Sequence, residues 1–188
     1  KDIHFRVLLH PNQVIDKNVI RDHKTNLSFP LESYPSYPQY DSIMKMFAQD
    51  YPSICALDTF AVLASGKKLL MLIISDQPNL KEKEPAFFYT STMHGDETGG
   101  YIMMLNLIDT LLKNYGKVPR ITQLVDDVKI CINPLANPDG LYAGNDFSVS
   151  GATRTNANGV DLNRNFPDPE DGQHPDGFSW QQETKAFM

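Results

Sequence analysis

Leu69-Leu70-Met71-Leu72-Ile73-Ile74 is an unbroken apolar run with polar sequence on either side. Six consecutive apolar residues leave no polar face for water, so as a strand this run needs cover on both sides. A chain that contains it is pushed towards a sheet packed between helices. The neighbouring segments agree. Residues 53–63 and 68–75 read as two strands around Ala64-Ser65-Gly66-Lys67, a hairpin turn. Residues 76–84 form a polar connector, and Ala86-Phe87-Phe88-Tyr89-Thr90-Ser91-Thr92-Met93 reads as a buried strand. Helical spacing follows over 101–114, then a short helix near 120–124 and a strand over 128–132. The alternation predicts an α/β fold with ligands at the carboxyl ends of the strands.

The two ends of the chain read differently. Tyr34-Pro35-Ser36-Tyr37-Pro38-Gln39-Tyr40 is expected to be extended because of its prolines. A helix starts behind it, capped by Asp41 or Ser42 and burying Ile43, Met46 and Phe47. Upstream, Ile3-His4-Phe5-Arg6-Val7-Leu8-Leu9 alternates like a strand. His4 and His10 would then lie about 20 Å apart, too far to share an ion. His23 reads as a solvated loop residue. Residues 1–33 are expected to be an extension or decoration, and 34–188 the domain proper. By its size, a chain of 188 residues is one domain able to bury roughly 70% of its unfolded surface. With 41% hydrophobic and 21% charged residues it is neither disordered nor fibrous in composition.

Chemistry concentrates at His94-Gly95-Asp96-Glu97, directly behind the 86–93 strand. A histidine and an acid three residues apart, at a strand-to-helix turn, can converge on one metal ion in the crevice at the sheet's edge. The same spacing also suits a helix N-terminus with Asp96 and Glu97 in its first turn. Asn133-Pro134-Leu135-Ala136-Asn137-Pro138-Asp139-Gly140 follows the 128–132 strand, and by itself is a strand end and a turn. Residues 156–168 hold four asparagines, two acids and an arginine, the composition of a solvated loop.

Taken together and in this order, HGDE, NPDG and Thr153-Arg154-Thr155-Asn156-Ala157-Asn158-Gly159-Val160-Asp161-Leu162-Asn163-Arg164-Asn165-Phe166-Pro167-Asp168 resemble the zinc metallocarboxypeptidases. The wording is most similar to the branch that includes the N- and E-type regulatory enzymes, and the resemblance covers about residues 34–188. It implies a mixed parallel and antiparallel sheet flanked by helices on both faces, and a zinc ion (Zn2+), one per catalytic domain. It implies that His94 and Glu97 are the first two zinc ligands, and that Arg154 polarises the scissile carbonyl and steadies the oxyanion. Asn163 and Arg164 would grip the substrate's C-terminal carboxylate, and Asp161 would hydrogen-bond the ligand histidine. The chemistry suits these residue types. A guanidinium binds a carboxylate through two parallel hydrogen bonds, and an acid behind a ligating imidazole fixes its tautomer.

The resemblance also implies a third ligand histidine, a glutamate general base and a substrate-binding tyrosine, which have no match before Met188. His174 sits too early, in a Pro/Gly-rich loop, as do Glu170 and Glu183 for the base. The chain is therefore expected to be the N-terminal part of a longer catalytic domain, and inactive by itself. Residues 141–160 are expected to line the cleft because they carry Arg154. Peptide or protein C-termini are the expected substrate. An amide hydrolase acting on acylated or peptidoglycan substrates is the alternative enzyme, and a decayed binding module the non-enzymatic one.

The net charge of −6 gives no electrostatic case for nucleic acid or anionic membrane as partner. No apolar run is long enough to span a bilayer, and no signal peptide is visible. An extracellular or periplasmic setting is expected, although the composition suits a cytosolic protein as well. Cys55 and Cys131 lie among apolar neighbours and read as free thiols. Asn26-Leu27-Ser28 matches a glycosylation sequon at chance level.

Overall fold

The computed structural model describes residues 28–188. The strand expected over 3–9, His4, His10, His23 and most of the sequon lie outside them. The elements in order are α1 (Tyr37–Asp50), β1 (Cys55–Val62), β2 (Lys68–Ile74), β3 (Ala86–Thr90), α2 (Thr98–Asn114), α3 (Pro119–Asp127), β4 (Lys129–Asn133) and α4 (Pro138–Leu141), then a 3-10 turn (Leu162–Arg164) and α5 (Gln182–Phe187).

The sheet has the order β1-β2-β4-β3. β1 and β2 form the expected hairpin, with Gly66 at φ 85 in its turn, where only glycine adopts the conformation without strain. β2 pairs antiparallel with β4, and β4 parallel with β3, so the sheet is mixed. The parallel register pairs Phe87 with Ile130 and Tyr89 with Ile132. Residues paired across strands share a face, so Leu72, Ile74, Ile130 and Ile132 line one side of the sheet. There they meet Tyr40, Ile43, Met44 and Phe47 of α1 and Tyr101, Ile102, Leu105 and Ile108 of α2 in one core. Each such side chain contributes about 1.5–3 kcal/mol on burial. On the opposite side Phe187 of α5 packs edge-on against Phe60 and tilted against Phe88, at ring separations of 5.4 and 6.0 Å. Helices thus cover both faces, as the apolar run in β2 requires. The cover is unequal: Leu69, Leu70, Leu72 and Ile74 are buried, and Met71 and Ile73 half-buried.

Expectations fail at two elements, α1 and β3. The 34–40 segment is not wholly extended, because α1 begins at Tyr37 and is capped by Ser36 rather than by Asp41 or Ser42. Ser36 Oγ accepts from Gln39 N while Gln39 Oε1 accepts from Ser36 N, a reciprocal box in which Pro38 occupies a first-turn position that needs no N–H. Met46 is only half-buried, and Met44 takes its place in the core. The second failure is β3. It ends at Thr90, and all five of its residues are exposed rather than buried. Its apolar character reads as that of an inner strand, but among the described residues it is an edge, paired with β4 alone. Cys55 and Cys131 are free, as expected, and burial pushes the Cys55 thiol up to about 12.

Candidate metal centre

The parallel strands β3 and β4 end on the same side of the sheet, which brings the loops behind them together. Three backbone bonds fasten one loop to the other: Ser91 N to Asn133 O (3.1 Å), Ala136 N to Ser91 O (2.9 Å) and Asn137 N to Thr92 O (3.1 Å). Asn137, fully buried, caps α4 by accepting from Gly140 N at 2.8 Å. Its amide nitrogen donates to Met93 O at 3.3 Å and Arg154 O at 3.5 Å, so one side chain touches all three motifs. Gly95 lies where the loops cross: a Cβ there would come within 2.2 Å of Gly140 C and 2.5 Å of Thr153 O. From the other side Asp139 is held by Ser65 Oγ at 3.0 Å and Lys67 Nζ at 3.3 Å, which ties NPDG to the β1–β2 turn.

This scaffold places the acid and base groups. His94, only 8% exposed, presents Nδ1 to Glu97 Oε1 at 3.0 Å and Nε2 to Asp161 Oδ1 at 3.0 Å. Glu97 sits at the N-cap of α2, where the helix dipole favours a negative charge. Asp161 caps the 3-10 turn through Asn163 N at 3.0 Å, and its Oδ2 accepts from Arg154 Nε at 2.8 Å. Burial pushes the Asp161 carboxyl up, but the bonds and charges of Arg154 and His94 outweigh it, leaving it below the usual carboxylate range.

The donor set fits a cation. Asp161 as a carboxylate accepts, so Nε2 of His94 carries a hydrogen, and in the neutral form of the ring Nδ1 presents a lone pair. That lone pair faces a carboxylate oxygen at 3.0 Å, two acceptors towards each other. A shared proton or a metal ion satisfies both, and imidazole nitrogen with carboxylate oxygen is a zinc donor pair. Among the described residues the group of three potential metal donors lies elsewhere, at Asp76, Glu82 and Glu84.

The zinc carboxypeptidase family profile matches residues 40–186. The chain belongs to the zinc carboxypeptidase family. It is 40% identical over 136 residues to human carboxypeptidase D, covering 70% of this chain and 10% of that protein. To mouse carboxypeptidase M it is 40% identical over 153 residues, covering 79% of this chain and 33% of the relative. The chain therefore spans between a tenth and a third of the length of these relatives. Among solved structures, carboxypeptidase A from Helicoverpa armigera superposes with a TM-score of 0.68 at 24% identity, over 87% of this chain and 44% of that one. Thrombin activatable fibrinolysis inhibitor gives 0.71 at 19% identity, over 90% and 46%. Both share the fold.

Of the residues singled out in the sequence, the structure brings His94, Glu97, Asp161 and Arg154 into one connected cluster. Asn163 and Arg164 are the exposed residues of the 3-10 turn beside it, and their side chains bond to nothing among the described residues. His174 is exposed and packs at a tilt against Trp180, ring centroids 5.0 Å apart, outside the cluster. Sequence reasoning passed over Asn137, Asn156 and the role of Glu183. Asn156 Nδ2 donates to Gln181 Oε1 at 3.0 Å and Glu183 Oε2 at 3.3 Å, fastening the Arg154 loop to α5. Asn137 was legible as an Asx cap, since Pro follows it and Gly140 stands three residues on. Glu183 carried no such signal. No helix among the described residues is long and apolar enough to cross a membrane.

Proposed function

We propose that the complete protein is a zinc-dependent carboxypeptidase that removes residues from the C-termini of peptides or proteins. The observation that carries this reading is the convergence of His94 Nδ1 and Glu97 Oε1 at 3.0 Å, with Asp161 behind the imidazole and Arg154 beside it. His94 and Glu97 would hold zinc, with a third ligand and a glutamate base supplied by residues outside this chain. Zinc so held supplies Lewis-acid polarisation of the scissile carbonyl and makes water a nucleophile near neutral pH.

Asp161 keeps the His94 hydrogen on Nε2 and so the lone pair on Nδ1. Arg154 is held through Nε alone, which leaves both terminal nitrogens of a half-exposed guanidinium free to meet charge developing on the carbonyl oxygen. Arg164, without a carboxylate partner among the described residues, is available to pair with the substrate's terminal carboxylate, and Asn163 adds an amide beside it.

The test uses the full-length enzyme and a pair of peptides, one with a free C-terminus and one amidated. The free peptide should be cleaved and its amidated twin nearly ignored. Arg164→Ala should slow the first by roughly 10- to 150-fold, the equivalent of a charge-assisted contact of about 1.5–3 kcal/mol, and barely change the second. Equal cleavage of both peptides by the wild type would replace this reading with the amide-hydrolase one.

A further inference from the structure

Thr92 is, among the described residues, the one non-glycine with positive φ, at 59°. A β-branched residue in the left-handed region is an outlier that costs about 1–3 kcal/mol, and it persists only where its surroundings fix it. Those surroundings are specific. Thr92 is 4% exposed and stands two residues before His94, at the bend where the chain leaves β3. Its carbonyl accepts from Asn137 N at 3.1 Å. Its hydroxyl donates to Glu97 O at 3.2 Å and lies 3.1 Å from Ser91 Oγ. The backbone conformation alone calls for glycine or asparagine. What threonine adds is a buried hydroxyl bonded across the turn to the residue proposed as the second metal ligand.

We propose that Thr92 is a positioning residue for the metal pair, its left-handed backbone aiming His94 and its hydroxyl fixing the peptide plane of Glu97. The proposal rests on the metal-pair reading of His94 and Glu97. The bond spans the whole His-x-x-Glu turn, and a second one, Glu97 N to His94 O at 3.1 Å, closes that turn from inside. With both in place, the backbone of the turn that carries Nδ1 and Oε1 is ordered before any ion arrives, so less ordering remains to be done on binding, chiefly that of the 64% exposed Glu97 side chain.

The test measures zinc dissociation constants by chelator competition, and zinc-free thermal midpoints, on the full-length protein. Thr92→Ser keeps the hydroxyl and should bind zinc within about twofold of wild type. Thr92→Val keeps the branch and loses the hydroxyl, and Thr92→Gly loses both. Each should bind about 10-fold more weakly, the lower end of what outer partners of metal ligands contribute. In Thr92→Gly the relief of strain offsets the lost bond, so its zinc-free midpoint should stay close to wild type while its affinity falls. Wild-type affinity in both Thr92→Val and Thr92→Gly would overturn the proposal. So would a loss in Thr92→Ser equal to that in Thr92→Gly, or a fall in midpoint that accounts for the weaker binding. His94→Ala separates the two levels: if it loses zinc while the Thr92 variants keep it, only the role of Thr92 fails. If His94→Ala keeps zinc, the metal pair itself fails and this proposal with it.

Discussion

Gly95→Ala probes how tightly the three motifs interlock. The new Cβ would lie 2.2 Å from Gly140 C, 2.4 Å from Leu141 N and 2.5 Å from Thr153 O. Carbon contacts are comfortable at about 3.5–4.0 Å, so the loops must part by more than about 1 Å. All three neighbours are backbone atoms, and no rotamer change can absorb the shift. Overpacking of this kind costs about 1–3 kcal/mol. Parting the loops also stretches the bonds from Gly95 N to Arg154 O (3.4 Å) and from Thr153 N to Gly140 O (2.8 Å), each worth about 0.5–1.5 kcal/mol. The total is about 2–6 kcal/mol. At about 3 kcal/mol the midpoint of a domain of this size falls by about 6–12 °C. Gly99 supplies the internal control, since a Cβ there meets nothing within 4 Å and the residue lies in α2. Gly99→Ala should be neutral or stabilising by up to about 1 kcal/mol. Scanning calorimetry of the zinc-free full-length protein measures both. A Gly95→Ala midpoint matching that of Gly99→Ala would refute the close-approach argument.

Other outcomes follow from the same geometry. Arg154→Ala in the full-length enzyme should lower kcat by about 10²- to 10³-fold with little change in KM, and a raised KM at unchanged kcat would assign the arginine to ground-state binding. Glu183 is 4% exposed, and burial pushes its carboxyl up against the opposing bonds from its own backbone N–H and Asn156. A raised carboxyl contributes stability that is full below the unfolded value, about 4.3, and is lost as pH rises through the folded value. Glu183→Gln should therefore gain on wild type in urea titrations as pH is raised from about 4 to 7, and parallel profiles would contradict this.

Much of this was legible in the chain. The strands, the long helix and the hairpin follow from apolar spacing and from Gly66, because period and turn chemistry are local. The β3 prediction failed for the opposite reason: Phe87, Phe88 and Tyr89 have the same apolar character at an edge as inside a sheet, and what packs on them is a long-range fact. The cap of α1 was missed because prolines suggest extension, although Ser36 and Gln39 carry the spacing of a capping box. At the site, the candidate ligands and Arg154 were visible as motifs through resemblance. The parts that bind the motifs to one another were not. Asn137 reaches Met93 and Arg154 through space, Gly95 is needed for a clearance no spacing reveals, and Thr92 gives no sequence sign of its left-handed backbone.

The partnership of His94 with Asp161 has a consequence for biosynthesis. The bond joins residues 67 positions apart, whereas Glu97 lies only three from the histidine. At about 5–20 residues per second, a ribosome needs about 3–13 s to add those 67 residues. For that interval the nascent turn carries its two candidate ligands with the imidazole hydrogen free to sit on either nitrogen. Asp161 can bias the ring towards its Nε2–H form only once the 3-10 turn has docked, so the orientation of His94 is fixed later than the turn that carries it is made.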